Sequence, residues 1–352
     1  MRTAFTKALY YPSIDIDNVE WLKSALLFWD EIQTIVPEFV KVPYRSVDTQ
    51  YLEAEGFLSP FIVSSNHSFV RDASDKMTAF LAKKSKDELA RDLRIGSRGY
   101  RSQWGISTKK MTWELRKNLE SYLYSEGIIN DNNKQSIHAN FDESVYIPDF
   151  VAMFYMTLLA NKICKEKSIA LVSDNKYPFG VAEAVRLGER SEALTQGMLL
   201  EIIVQSVQLS PDASLPDIID FKKRHMDELG RFRTTLAKLT QRIEKDKPLE
   251  AIQQELQDIY TNEFLPSYND LLKALSGLRI NYFANNFLKT TFVSTSATSL
   301  PMLLAGQSVP HALLASVGVT VLASAVQYHQ EKKKMLRETP YSYLLLAQKE
   351  FH

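Results

Sequence analysis

Asn66, His67 and Ser68, followed closely by Arg71 and Asp72, bring an imidazole, a hydroxyl and a carboxylate into one short polar stretch. Such groups can share general-base or nucleophilic work, but only where their side chains converge in space, which adjacency in sequence does not guarantee. Asp174 is the second candidate. It closes the apolar run 168–173, SIALVS, which reads as a buried strand. The carboxyl end of a strand is where an α/β protein places much of its chemistry. With no partner residue evident, the competing reading of Asp174 is a turn-former. A hydrolase built from 66–72 and 174 would need both in one pocket.

Other motifs fall short. The six histidines have no metal-ligand spacing, and the chain lacks HExxH, CxxC and GxSxG. Gly96-Ser97-Arg98-Gly99 suggests a phosphate loop but lacks the Gly-Lys-Ser/Thr that would cradle a nucleotide. Cys164 ends an apolar segment and reads as a small core residue. His225, between Arg224 and the acidic Asp227 and Glu228, reads as a solvated helix position. No cofactor or metal is expected.

Two longer stretches point to binding rather than catalysis. In residues 70–118 basic side chains outnumber acidic ones, and Tyr100, Trp104 and Trp113 lie among them. Basic groups neutralise phosphates and aromatic rings stack on bases, so Arg94, Arg98, Arg101, Trp104, Lys109 and Lys110 are the candidate nucleic-acid contacts. The opposing reading is a solvated face paired with the acidic N-terminal segment, which the zero net charge favours. The other stretch is 290–330, without a formal charge between Lys289 and Glu331. It divides into two apolar, small-residue segments around Gly306 and Pro310, an apolar hairpin at 291–328. Each half is short for a membrane helix, which needs about 20 residues. Small residues let two helices approach closely. Leu303, Leu304, Leu313, Leu314, Val317, Val319 and Leu322 are its candidate interface or membrane residues, with Lys332, Lys333 and Lys334 just beyond. Burial in the protein's own core or in an oligomer interface is favoured over membrane insertion.

The elements that would position these groups follow from the pattern. Residues 8–16, aromatic and β-branched, read as a strand; residues 18–35 as an apolar helix with Asp17 and Glu20 at capping-box spacing. Residues 39–44 read as a short strand and 57–64 as an edge strand or loop because of Pro60. Residues 70–118 are predicted mostly helical, broken at 95–107 by glycines. Residues 147–163 form an apolar helix ahead of the 168–173 strand, a passage typical of α/β packing. Residues 199–209 read as a further strand. A long helix, 215–245, capped by Ser214, carries Leu229, Phe232, Leu236, Leu239 and Ile243 on one stripe. Helices after Pro248 and Pro266 and a last apolar patch, 341–347, complete the chain. The fold class is therefore α/β (α+β) with a small sheet over 1–210, carrying a basic insertion at about 70–120. A mainly helical portion, 211–352, includes the hairpin, and the whole is predominantly helical.

At 352 residues the chain suffices for two domains or one large one. A single cysteine points to a reducing compartment, and the first residues lack the apolar core of a signal peptide, so a cytoplasmic location is expected. Several stretches resemble a family of uncharacterised bacterial proteins known as a domain of unknown function. They are ALYYPSIDI with WLKSALLFWDEIQTIVP, VAMFYMTLLANKI with IALVSDN, and SLPDIIDFKKRHMDELGRFR. The resemblance implies bacterial, cytoplasmic origin and a shared architecture but no reaction. The resulting expectation is a non-enzymatic interaction or regulatory protein, such as a component of a stress or phage response, with a protein partner or a second copy of itself. Its alternative is a nucleic-acid-binding or nucleic-acid-processing protein using residues 83–117.

Overall fold

Four parallel strands organise this protein, and their most enclosed residues are apolar, as suits a sheet covered on both faces. The computed structural model describes residues 6–83, 85, 88, 103–126, 144–174, 192–244, 247, 249–277, 288 and 339–352. Strand β1 (Lys7–Tyr10) leads through helix α1 (Val19–Phe28) to β2 (Glu31–Pro37), then through α2 (Val47–Ala54) to β3 (Leu58–Val63). Much later comes β6 (Ala170–Val172), and the four strands lie in the order β3-β2-β1-β6. All their pairings are parallel, with Leu9 opposite both Gln33 and Leu171.

Strand order therefore runs one way from β1 through β3 and reverses at β1 to place β6 on its other side. Between β3 and β6 the chain forms α3 (Ser68–Leu81), the antiparallel pair β4 (Gln103–Ser107) and β5 (Ser144–Pro148) with α4 (Trp113–Ser125) between them, and α5 (Asp149–Lys167). Right-handed crossovers require the helices on either side of such a reversal to cover opposite faces. The buried side chains obey this. Ala8, Tyr10, Ile32 and Val172 join α1 in one cluster, whereas Leu9, Tyr11, Ile35 and Leu171 join α3, α4 and α5 in another.

The rest of the chain thickens the first face. Helix α6 (Glu192–Ser206) packs on β6 and α1, followed by α7 (Leu215–Arg224), α8 (Met226–Thr240), α9 (Leu249–Ile259), α10 (Leu265–Gly277) and α11 (Ser342–Phe351). Ser214 caps α7 as expected, its hydroxyl accepting from the Asp217 amide at 3.3 Å. The long stripe is split at His225 into α7 and α8, yet Leu229, Phe232, Leu236 and Ile243 are all buried. Pro266 does not end a helix. A π-helical turn, Tyr260–Phe264, joins α9 to α10 without a break, and Pro266 follows just after it.

Side chains of this helical layer also close the end of α1. The last carbonyls of a helix have no partner within it. Tyr343 on α11 donates to the Leu27 carbonyl at 2.6 Å, Arg233 on α8 to that of Phe28 through Nε at 3.2 Å, and Lys222 on α7 to that of Trp29. Two of the three donors are cations placed at the negative end of the helix dipole. Asp30 balances them, accepting from Arg233 at 2.9 and 2.8 Å and lying 3.3 Å from Lys222. Burial would raise the Asp30 carboxyl, but Arg233 and Lys222 overcome it and hold the group below its ordinary range.

Several sequence expectations are corrected. The helix expected at 18–35 stops at Phe28, and residues 31–37 are β2. Both are buried nearly all round, so apolar residues continue on either side of the junction, with Asp30 and Glu31 as the charged pair between them. Asn18, not Asp17, caps α1, accepting from the Trp21 amide at 3.1 Å. The strand expected at 199–209 is the second half of α6, a helix so enclosed that its apolar run carries no period. Residues 39–44 form no strand. Ile147 belongs to β5, and the glycine-bearing break at 95–107 includes strand β4. Pro60 does mark an edge strand, β3. Among the described residues no helix is long and apolar enough to cross a membrane. The hairpin 291–328, with Leu303, Leu304, Leu313, Leu314, Val317, Val319 and Leu322, lies outside the described residues.

Candidate functional site

The carboxyl ends of β1 and β6 lie side by side in the sheet, and in open α/β sheets ligands bind at the carboxyl ends of the strands. Here β1 ends in Tyr10, followed by Tyr11 and a cis Tyr11–Pro12 bond. β6 ends in Ser173 and Asp174. The Tyr10 hydroxyl donates to Asp174 Oδ1 at 2.8 Å, joining the two strand ends. Burial, and then the Asp174 charge, push the Tyr10 phenol up, so it stays protonated and remains a donor.

The third member comes from α6. Gly197 packs against β6 so closely that an added Cβ would lie 2.7 Å from the Ala170 Cβ. That approach brings Glu201, one turn further and about 6 Å along the helix axis, against the carboxyl end of the strands. Glu201 is 2% exposed. Its Oε1 accepts from Trp21 Nε1 and from Gln205 Nε2, both at 2.9 Å. Its Oε2 has no hydrogen-bond partner among the described residues. Trp21 is held in turn by its ring against Tyr10, with centroids 5.2 Å apart.

Burial drives the Glu201 carboxyl up. The hydrogen bonds from Trp21 and Gln205 pull it back, Asp174 adds repulsion, and the group settles at about 7. A carboxyl in that range holds or gives up a proton near neutral pH, whereas an ordinary one is fully ionised. The arrangement thus offers an oriented carboxylate, a fixed phenol donor and a proton-exchanging acid at one strand edge. Among the described residues no group of three or more His, Cys, Asp or Glu is arranged to hold a metal ion.

The residues singled out from sequence are dispersed. His67 Nδ1 accepts from the Ser64 amide at 3.1 Å, Ser68 donates to Glu166 at 3.1 Å, and Asp72 pairs with Lys162 at 3.0 Å. That cluster follows β3, three strands from β6 and so about 14 Å away across the sheet. It does not converge with Asp174. Cys164 is buried and its thiol is pushed up by burial. His225 stands between α7 and α8, its Nδ1 3.7 Å from Glu228. Of the candidate nucleic-acid contacts, Trp104 packs half-buried against the second core cluster. Lys109 lies 3.1 Å from Glu38. Lys110 is buried, and burial pushes its amine down to about 7. Arg94, Arg98 and Arg101 lie outside the described residues.

Glu201 carries a sequence signal that patterning overlooked. It is the only charged residue between Glu192 and Asp212. A lone carboxylate inside an apolar run is uncommon unless something at that spot requires it. No signal tied it to Tyr10 or Asp174, which lie far away in the chain.

No curated protein and no solved structure matches the chain. A family model does, over residues 99–352, which takes in α5, β6, α6 and the helical layer but not β1 through β3. On that match the chain belongs to the family of unknown function DUF6236.

Proposed function

We propose that the protein binds a small molecule at the carboxyl edge of β1 and β6 and acts as a ligand-responsive regulatory or interaction protein of the cytoplasm. One observation supports the reading above the others. Where strand order reverses, a buried, half-partnered Glu201 feels the charge of an Asp174 that Tyr10 holds in place. A buried carboxyl with a bare oxygen destabilises a fold, so its presence at the position where α/β sheets take ligands favours a binding role. The single buried cysteine fits a reducing compartment.

The test is thermal denaturation with three probes of different chemistry: spermidine as an amine, glucose as a neutral polyol and adenosine monophosphate as an anion. At least one class raises the Tm of the wild type, and Asp174→Asn abolishes that rise while remaining folded. A Tm unmoved by all three, or a rise that survives Asp174→Asn, overturns the reading.

A second reading, nucleic-acid contact through residues 83–117, has one observation in its favour. Trp113 is 61% exposed, with Lys117 Nζ 3.5 Å from its ring centroid, a pairing of charge and stacking surface suited to single strands. It predicts salt-dependent binding of single-stranded DNA or RNA that weakens in Trp113→Ala and in the triple variant Arg94→Ala, Arg98→Ala, Arg101→Ala. Binding absent or insensitive to salt removes it. The uncharged stretch 290–330 supports a role in self-association or conditional membrane contact. Flotation with anionic liposomes that is lost in Leu314→Asp, Val319→Asp would identify the membrane role, and a dissociated variant the oligomer role.

A further inference from the structure

The oxygen of Glu201 that lacks a partner marks the place where a ligand atom belongs. Trp21 and Gln205 both donate to Oε1, so they fix the plane of the carboxyl and leave Oε2 bare among the described residues. The charge that acts on it is that of Asp174, which is itself fixed by Tyr10. Trp21 and Gln205 carry no charge, and no cation acts on Glu201 among the described residues. The Asp174 charge thus acts on a Glu201 whose Oε2 is an unoccupied acceptor, and no cation offsets the two among the described residues.

Resting on the ligand-binding reading above, we propose that Glu201 is the proton-exchanging residue of this site and that the ligand is a small amine or guanidine. In the empty site Glu201 is neutral and its proton relieves repulsion from Asp174. When a protonated amine enters, its N–H groups donate to Glu201 Oε2 and to Asp174. The Glu201 O–H bond breaks, the proton leaves to solvent, and an ammonium between two carboxylates replaces an acid beside one. No bond to the ligand forms and nothing is oxidised.

Bracing Trp21 does not by itself call for an acid. A brace would be served by a glutamine, whose carbonyl accepts the same two hydrogen bonds without placing an acid in the core. Anionic ligands are disfavoured because both facing groups are acceptors once ionised.

Proton counting tests this directly. Spermidine and agmatine are titrated calorimetrically into the full-length protein at pH 6 and pH 8.5, each in two buffers of different ionisation enthalpy. About one proton is released per amine bound at pH 6 and almost none at pH 8.5, since only at the lower pH does Glu201 enter protonated. Glu201→Gln, which keeps both hydrogen bonds, still folds and abolishes the release, whereas Asp174→Asn lowers affinity by about tenfold or more. Amine binding without proton release at pH 6, or release that persists in Glu201→Gln, overturns the role of Glu201. If glucose or adenosine monophosphate stabilises the protein through Asp174 and the amines do not, the amine inference fails while the binding site stands. If none of the probes binds, both fail.

Discussion

Glu201→Gln separates the proton on Glu201 from every other feature of its surroundings. The carboxyl moves from an ordinary 4.5 in the unfolded chain to about 7 in the folded protein. Between those limits the folded state holds the proton more tightly, so stability is fully present below pH 4.5 and is lost as pH rises through 7. At roughly 1.4 kcal/mol per tenfold in proton affinity, the loss is about 3 kcal/mol. Glutamine has no proton to lose. The assay is urea unfolding of both proteins at pH 5, 6, 7 and 8, read as the difference in unfolding free energy. That difference shifts in favour of Glu201→Gln by about 2.5 kcal/mol from pH 5 to pH 8, most steeply near pH 6. A flat difference refutes the reasoning, because it would mean that Glu201 is ionised throughout and that water or another group reaches Oε2.

Other consequences concern the packing that builds the site. Gly197→Ala places a methyl against Ala170 and displaces α6, so it lowers stability by about 1–3 kcal/mol in urea unfolding and weakens any ligand response of the site. Arg233→Ala leaves Asp30 without its two-pronged partner and the Phe28 carbonyl without its guanidinium donor, a loss of about 3 kcal/mol by the same measurement. Tyr343→Phe removes only the donor to Leu27 and costs about 1 kcal/mol. Cys164, buried with its thiol raised, resists iodoacetamide in the native protein and reacts once urea unfolds it.

The sequence expresses what depends on neighbours along the chain and is silent on what depends on neighbours in space. Ser214 with Asp217 announced the start of α7, and the SIALVS run announced β6, because capping and strand burial are local. Asp174 was legible as a candidate from its position after that strand. Its partners were not, since Tyr10 lies 164 residues away and no spacing rule links β1 to β6. Residues 18–37 misled for a definite reason. Enclosure makes helix and strand similarly apolar, and the charged pair Asp30 and Glu31 at the junction also fits the polar side of one continuing helix. The same enclosure disguised α6, and with it Glu201.

The capping of α1 also sets an order of assembly. Its final carbonyls are satisfied by Lys222, Arg233 and Tyr343, which lie 193, 205 and 316 residues beyond the groups they bond. During synthesis the first two strands and the helix between them emerge long before any of those donors. Until α11 arrives, the end of α1 relies on water and its apolar flank lacks the ring of Tyr343 against Phe28. Contacts of such long range delay folding and leave early segments exposed to wrong partners. The N-terminal sheet of this protein is therefore the first part made and among the last to be finished.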